Sequence, residues 1–266
     1  MKKSTFLTAF AVLLVAASGL QSCKSQYDVI LESTDLDLKY KAAFDYFNAG
    51  KYARSAAVFE SLTLLTNGTE RHDTVLYYLG LSNYSFKDYY TAETNFDQYL
   101  SNFPQGAFAE NADFLRIDCL YRNTLRYELD QTPTYTAITA MAEYLRAHPT
   151  GANADILRHR MEELGERLDR KAFEGAKLYY KMEDYKAARV ALRNVLKEDA
   201  DNVYREDILY YTAMASYKFA EMSVPSKQKE RFLVFQDDYL NFVGEYPESN
   251  YRKELDVLYD KVKEKN

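Results

Sequence analysis

The feature that most constrains this chain is a unit that recurs along it. "YFNAGKYARSAAVFESL" (residues 46–62), "NYSFKDYYTAETNFDQYLSNFP" (83–104) and "YYKMEDYKAARVALRNVL" (179–196) share one layout. An aromatic residue precedes a short polar turn, a Tyr follows the turn, and a small residue stands three further on: Ser55, Ala92 or Ala188. Four residues later comes a large apolar one, Phe59, Phe96 or Leu192, and three after that Leu62, Tyr99 or Val195. Steps of four and three trace one face of a helix. Each copy therefore predicts the end of one helix, a tight turn and an amphipathic second helix. Two further stretches keep only the second half: "TYTAITAMAEYLRAHP", with Ala137, Met141, Tyr144 and Pro149, and "VFQDDYLNFVGEYP", with Phe235, Tyr239, Phe242 and Pro247. Such units bury their apolar faces on one another, so the chain must stack them.

The unit resembles the tetratricopeptide repeat, a helix–turn–helix of about 34 residues. Its first helix is legible in "VLYYLGLSNY", where Leu76, Leu79 and Gly80 match the large-x-x-Leu-Gly spacing. Phe59, Phe96, Met141, Leu192 and Tyr239 lie 37, 45, 51 and 47 residues apart, which predicts longer helices or loops than the consensus. "NADILRHRMEELGERLDRKAFEGAKLYY" reads as two consecutive helical stretches or one long one, and "RYELDQTPTYT" as an inserted loop ending near a helix start at Asp130, Thr132 and Pro133. Residues 251–263, with Leu255, Leu258 and Val262 on one face, read as a solvated capping helix. Nine Gly, five Pro and no sustained apolar–polar alternation argue against strands. The expected fold is an all-α tetratricopeptide-repeat solenoid of about five helix pairs over residues 36–266, closed by that capping helix.

The N-terminus carries a different signal. Lys2 and Lys3 precede an apolar run over residues 6–17. That run is too short for a spanning helix of roughly 20 residues and suits a signal peptide. Leu20, Ser22 and Cys23 then resemble the lipobox of bacterial lipoproteins, with Gln21 departing from its usual small residue. The resemblance implies a diacylglyceryl group on the Cys23 sulfur, cleavage before Cys23 and acylation of the new amine. Residues 1–22 are then the signal peptide and 23–35 a lipidated tether. The alternative is an ordinary secretory peptide with Cys23 as a structural thiol, free to pair with Cys119, the other cysteine. The polar Lys24, Ser25 and Gln26 favour the tether. Phe114, Leu115, Ile117 and Leu120 around Cys119 predict a buried, reduced thiol there.

Composition narrows the function. The net charge of −6 falls to about −8 without Lys2 and Lys3, which excludes a nucleic-acid partner that demands phosphate neutralisation. No Gly-rich phosphate cradle and no strand-turn-helix Ser elbow appears. His72, His148 and His159 lie in separate segments without metal-ligand spacing. The neighbours Glu162–Glu163 and Asp237–Asp238 point in different directions along a helix and read as solvated faces. No enzymatic activity, cofactor or metal is expected. What stands out is 25 Tyr and 15 Phe with no Trp, residues that offer large contact area at low entropic cost. By alignment with the repeat family, whose first helices line the concave face, a peptide-binding groove falls to Tyr40, Phe44 and Phe47 and to Tyr77, Leu81 and Tyr84. The fourth repeat offers Phe173, Lys177 and Tyr180. The competing reading is that these side chains pack against neighbouring repeats.

With the lipobox cysteine and short tether in front of it, "DLKYKAAFDYFNAGKYARSAAVFESL" resembles the start of the BamD family of outer-membrane assembly lipoproteins. "LDQTPTYTAI", "AKLYYKMEDYKAA", "YREDILYYTAMASYKFAE" and "YPESNYRKE" also look like BamD segments. The resemblance implies a non-enzymatic adaptor tethered to the outer membrane and facing the periplasm. Its implied partners are a BamA-type barrel insertase, unfolded outer-membrane proteins, and the membrane itself through lipid on Cys23. The rivals are a glycan-binding outer-membrane lipoprotein, which the absence of Trp disfavours, and another repeat adaptor of the cell envelope.

Overall fold

The computed structural model describes residues 25–264, so Cys23 and the signal segment 1–22 lie outside the described residues. Among those described are twelve helices and no strand. They are α1 (Gln26–Glu32), α2 (Leu36–Asn48), α3 (Tyr52–Thr66), α4 (Arg71–Phe86), α5 (Tyr89–Asn102), α6 (Ala109–Arg122), α7 (Thr132–Ala147), α8 (Ala154–Lys181), α9 (Tyr185–Glu198), α10 (Arg205–Glu221), α11 (Pro225–Glu245) and α12 (Arg252–Lys263). No described helix is long and apolar enough to cross a membrane.

The chain divides into two compact units, Met1–Arg122 and Asn123–Asn266. Four of the five expected helix pairs, α2–α3, α4–α5, α8–α9 and α10–α11, pack as hairpins inside one unit. The boundary splits the remaining pair: α6 closes the first unit and α7 opens the second. The inserted loop between them is fastened to α8. Arg167 donates to Thr124 Oγ1 at 2.8 Å and to the Leu125 carbonyl at 3.1 Å, and Lys171 Nζ donates to the carbonyls of Tyr127 and Leu129 at 3.0 and 2.8 Å. The ambiguous segment before the fourth turn is one continuous helix, α8, of 28 residues.

Three hairpins close through the same turn. Gly50, Lys87 and Glu183 take left-handed backbone conformations with φ of 70°, 69° and 63°. In each, the next residue donates its N–H back across the helix end: Lys51 to Tyr46, Asp88 to Asn83 and Asp184 to Tyr179, at 2.9–3.0 Å. This satisfies carbonyls that the ending helix leaves open. Asp88 and Asp184 then cap the following helix by accepting from the N–H of Thr91 and Ala187. The aromatic residues flanking each turn meet edge to face: Phe47–Tyr52 at 5.4 Å, Tyr84–Tyr89 at 5.6 Å and Tyr180–Tyr185 at 5.3 Å.

The repeat positions form the core. Ser55, Ala92, Ala137 and Ala188 are fully buried, as are Phe59, Phe96, Met141 and Leu192. Burying a large apolar side chain of this kind contributes about 1.5–3 kcal/mol. Phe235 stands where the other copies have a small residue, and it too is fully buried, edge to face with Tyr217 at 5.3 Å. Its room comes from α10, which presents Ala213 and Ala220 to the same cluster. Helices α5, α7 and α11 each stop two residues before a proline, Pro104, Pro149 or Pro247, as the restriction on the residue preceding proline requires. α12 buries Leu255 and Val262 against the last hairpin, in the capping role expected of it.

Candidate functional site

The first unit gathers aromatic side chains from α2, α3 and α4 into one connected face. Tyr40 meets Phe44 at 5.1 Å, and Phe44 meets Tyr78 at 4.7 Å. Phe47 meets Tyr78 at 5.4 Å as well as Tyr52 across the turn. All five rings are half-buried. Edge-to-face contacts of this kind add about 0.5–1.5 kcal/mol each beyond their buried area. The Arg71 guanidinium lies 4.9 Å over the Tyr40 ring and donates to Asp37 at 2.5 Å.

Tyr78 is the hub that sequence reasoning missed. The family pattern selects Tyr77, Leu81 and Tyr84 as one stripe of α4. The helix places Tyr78 against Phe44 and Phe47, while Tyr77 is only 4% exposed. The Tyr77 ring stacks on Phe108 at 4.3 Å, and its hydroxyl accepts from Asn111 at 2.5 Å. Tyr77 is thus a core residue, taken up by the packing between α4 and α6. The only signal for the hub was the doublet Tyr77–Tyr78 itself, whose rings meet edge to face at 5.5 Å, so that only one of the two is taken into the core.

Leu81 and Tyr84 are half-buried further along α4. The Tyr84 hydroxyl donates to Asp118 at 2.6 Å, and buried Asp118 pairs with Arg122. Arg122 in turn lies 5.7 and 5.1 Å over the rings of Tyr84 and Tyr89. Burial and the Asp118 acceptor push the Tyr84 phenol up to about 12, so it remains a hydrogen-bond donor. The two predicted triplets therefore fall into two places: Tyr40, Phe44 and Phe47 gather on Tyr78, and Tyr84 joins the Asp118–Arg122 cluster.

The second unit repeats the first device. Tyr180, Tyr185 and Tyr211 stand 133 residues beyond Phe47, Tyr52 and Tyr78. Tyr180 meets Tyr185 at 5.3 Å and Tyr211 at 5.2 Å. The counterpart of Phe44 is Lys177, whose Nζ lies 4.8 Å over Phe173 and 4.6 Å over Tyr211. Phe173 is 3% exposed and stacks on Tyr204 at 5.3 Å. Here Lys177 lies over the rings of Phe173 and Tyr211, whereas in the first unit Phe44 stands in its place and a cation, Arg71, lies over Tyr40.

Asp238 also departs from expectation. It is half-buried and receives Arg189 Nε and Nη2 at 2.5 and 2.9 Å, so it is a structural link between α9 and α11 rather than part of a solvated face. Among the described residues no cluster of His, Cys, Asp or Glu is arranged to hold a metal ion.

Comparison with known proteins gives this arrangement a context. The Caulobacter vibrioides protein described as outer membrane protein assembly factor BamD is 20% identical over 202 residues. That match takes in 75% of this chain and 66% of the relative, so the chain spans just under two thirds of its length. A TPR repeats protein from Bacteroides fragilis, solved by crystallography, aligns over 88% of this chain and all of its own at 18% identity, with a TM-score of 0.40. The TPR2AB domain of yeast Sti1, solved in complex with pHSP90, aligns over 86% of this chain and 98% of its own at 14% identity, with a TM-score of 0.41. The family model YfiO, described as outer membrane lipoprotein, matches residues 33–232. Matched over most of its length, the chain belongs to the YfiO family of outer membrane lipoproteins.

Proposed function

We propose that this protein is a non-enzymatic adaptor of the machinery that assembles β-barrel proteins in the outer membrane. Lipid on Cys23 holds it to that membrane, and its helical units face the periplasm. Its partners are a BamA-type barrel insertase and unfolded outer-membrane proteins. Membership of the YfiO family carries the reading, and the relative named as an assembly factor gives it direction.

The chemistry of the first unit suits the client role. Phe44, Phe47 and Tyr78 offer half-buried rings to an incoming aromatic side chain. Arg71 stands beside them with a side chain 45% exposed, and one of its five donors goes to Asp37, leaving others for a peptide carboxylate. Tyr40, Leu81 and Tyr84 extend the surface along α2 and α4. In the second unit Lys177 already occupies the equivalent rings, so client binding belongs to the first unit and scaffold contacts to the second. Affinity purification of the tagged protein from solubilised envelopes tests the reading. Recovery of a barrel insertase with its associated proteins is expected; recovery of a glycan transporter, or of no assembly component, overturns it.

A further inference from the structure

The turn edge of the first unit carries an open cleft of about 490 Å³ between the α2–α3 and α4–α5 turns. Lys51, Arg54 and Lys87 line it together with Phe86, and no carboxylate is among the described lining residues. All three cations are exposed. Phe86 is 56% exposed and Tyr90, four residues on, is 68% exposed. The neighbouring Asp88 is half-buried and caps α5, accepting from the N–H and hydroxyl of Thr91.

The turn itself does not demand this charge. The same turn in the second unit carries Glu183 and Asp184, where the first unit has Gly50–Lys51 and Lys87–Asp88. In a chain with a net charge of −6, the first unit's turns thus bring Lys51, Arg54 and Lys87 together beside exposed rings.

That edge also lies beside the start of the described chain. The Arg54 guanidinium sits 5.2 Å from the centre of the Tyr27 ring on α1. Tyr27 is four residues from Cys23. Four residues span at most about 15 Å, so a lipid on Cys23 holds the cleft close to the bilayer surface.

We infer that this edge is a membrane-docking surface for anionic phospholipid headgroups, an inference that rests on the reading of Cys23 as the lipid anchor. Lys51, Arg54 and Lys87 meet the headgroup phosphates, while Phe86 and Tyr90 enter the interfacial layer, where amphipathic and aromatic rings are favoured. The lipid alone leaves the protein free to swivel; the second contact fixes the orientation of the first unit on the bilayer.

The test imposes the anchor chemically. Residues 23–266, which keep every described helix, are coupled through Cys23 to vesicles carrying a maleimide lipid. Cys119 is fully buried and burial pushes its thiol up to about 12, so Cys23 is the group that reacts. Amide hydrogen exchange is compared on phosphatidylcholine vesicles with and without phosphatidylglycerol. Exchange across residues 50–54 and 85–90 is expected to slow severalfold on the anionic vesicles and to recover in high salt, with the turn at Glu183 unchanged. Lys51→Asp with Lys87→Glu installs the residues that the second unit carries in the same turn, so the hairpins keep their shape; this variant should lose the slowing. Equal exchange on both vesicles, or undiminished slowing in the variant, overturns the proposal. Neither outcome depends on whether the cell acylates Cys23, which fractionation of a Cys23→Ser precursor tests separately.

Discussion

Phe96 of α5 packs so closely on Gly80 of α4 that a Cβ at Gly80 would come within 2.8 Å of the ring. The contact is the α4–α5 hairpin's closest approach at a glycine, and it makes opposite predictions for glycines that look alike in sequence. Gly175, on α8, has nothing within 4 Å of its own Cβ position. Gly175→Ala should therefore stabilise by about 0.5–1 kcal/mol through helix propensity. Gly80→Ala gains the same propensity but overpacks a fully buried ring, at a cost of about 1–3 kcal/mol, and should destabilise. Urea denaturation of the two variants checks the signs, and Phe96→Leu in the Gly80→Ala background should recover part of the loss.

The left-handed turn residues give a second test. Lys87 and Glu183 hold φ of 69° and 63° with a side chain, where Gly50 holds 70° without one. An L-residue in that region costs about 1 kcal/mol relative to glycine. Glu183→Gly should raise stability by roughly 0.5–1 kcal/mol, and Gly50→Ala should lower it by a similar amount. Thermal melts of both variants decide it.

Arg189 and Asp238 make the third. Asp238 receives two bonds from Arg189 and one from Ser216, all across helices. Arg189→Ala leaves the carboxylate half-buried without its cation and should cost about 2–3 kcal/mol. Asp238→Asn, which keeps an acceptor for Ser216, should cost less. A smaller loss for Arg189→Ala than for Asp238→Asn in chemical denaturation would contradict this reading of the link.

Acid should weaken the second unit. Arg205 bonded to Glu245 at 2.7 and 2.8 Å holds that carboxyl below its ordinary range. The Tyr239 hydroxyl at 2.6 Å, with Arg252 at 3.0 Å, does the same for Asp256. A folded-state pKa below the unfolded one contributes stability above the unfolded value and loses it as pH falls through the folded value. Asp169, which burial pushes upward, works in the opposite sense. The melting temperature should be flat above the ordinary carboxyl values and fall below them, and Arg205→Gln with Tyr239→Phe should flatten that fall. An unchanged acid profile in the double variant would count against both contacts.

The hairpins were legible because their signal is local. Ser55, Ala92 and Ala188 keep a fixed distance from Phe59, Phe96 and Leu192, and a four-then-three spacing leaves one choice of buried face. The turn was equally visible in its flanking aromatics. What stayed hidden depends on helix phase or on distant partners. α4 has aromatic residues at both 77 and 78, and only tertiary packing decides that Tyr77 turns toward Phe108 and Tyr78 toward Phe44. Asp238 looked solvated because its partner lies 49 residues away. The division into two units falls at the end of α6, just before the insertion, in a connection whose anchors, Arg167 and Lys171, sit on a helix more than 40 residues downstream.

The central claim is that the aromatic face of the first unit holds polypeptide. The chain contains no Trp, so a peptide bearing one reports its own binding by fluorescence. Peptides matching the C-terminal strands of outer-membrane barrels, ending in an aromatic residue and a free carboxylate, should bind saturably. Tyr40→Ala with Phe47→Ala should weaken them at least about tenfold, as loss of two aromatic contacts implies, while Lys177→Ala in the second unit should not. Absence of binding, or equal affinity in the wild type and the Tyr40–Phe47 double variant, would contradict the account.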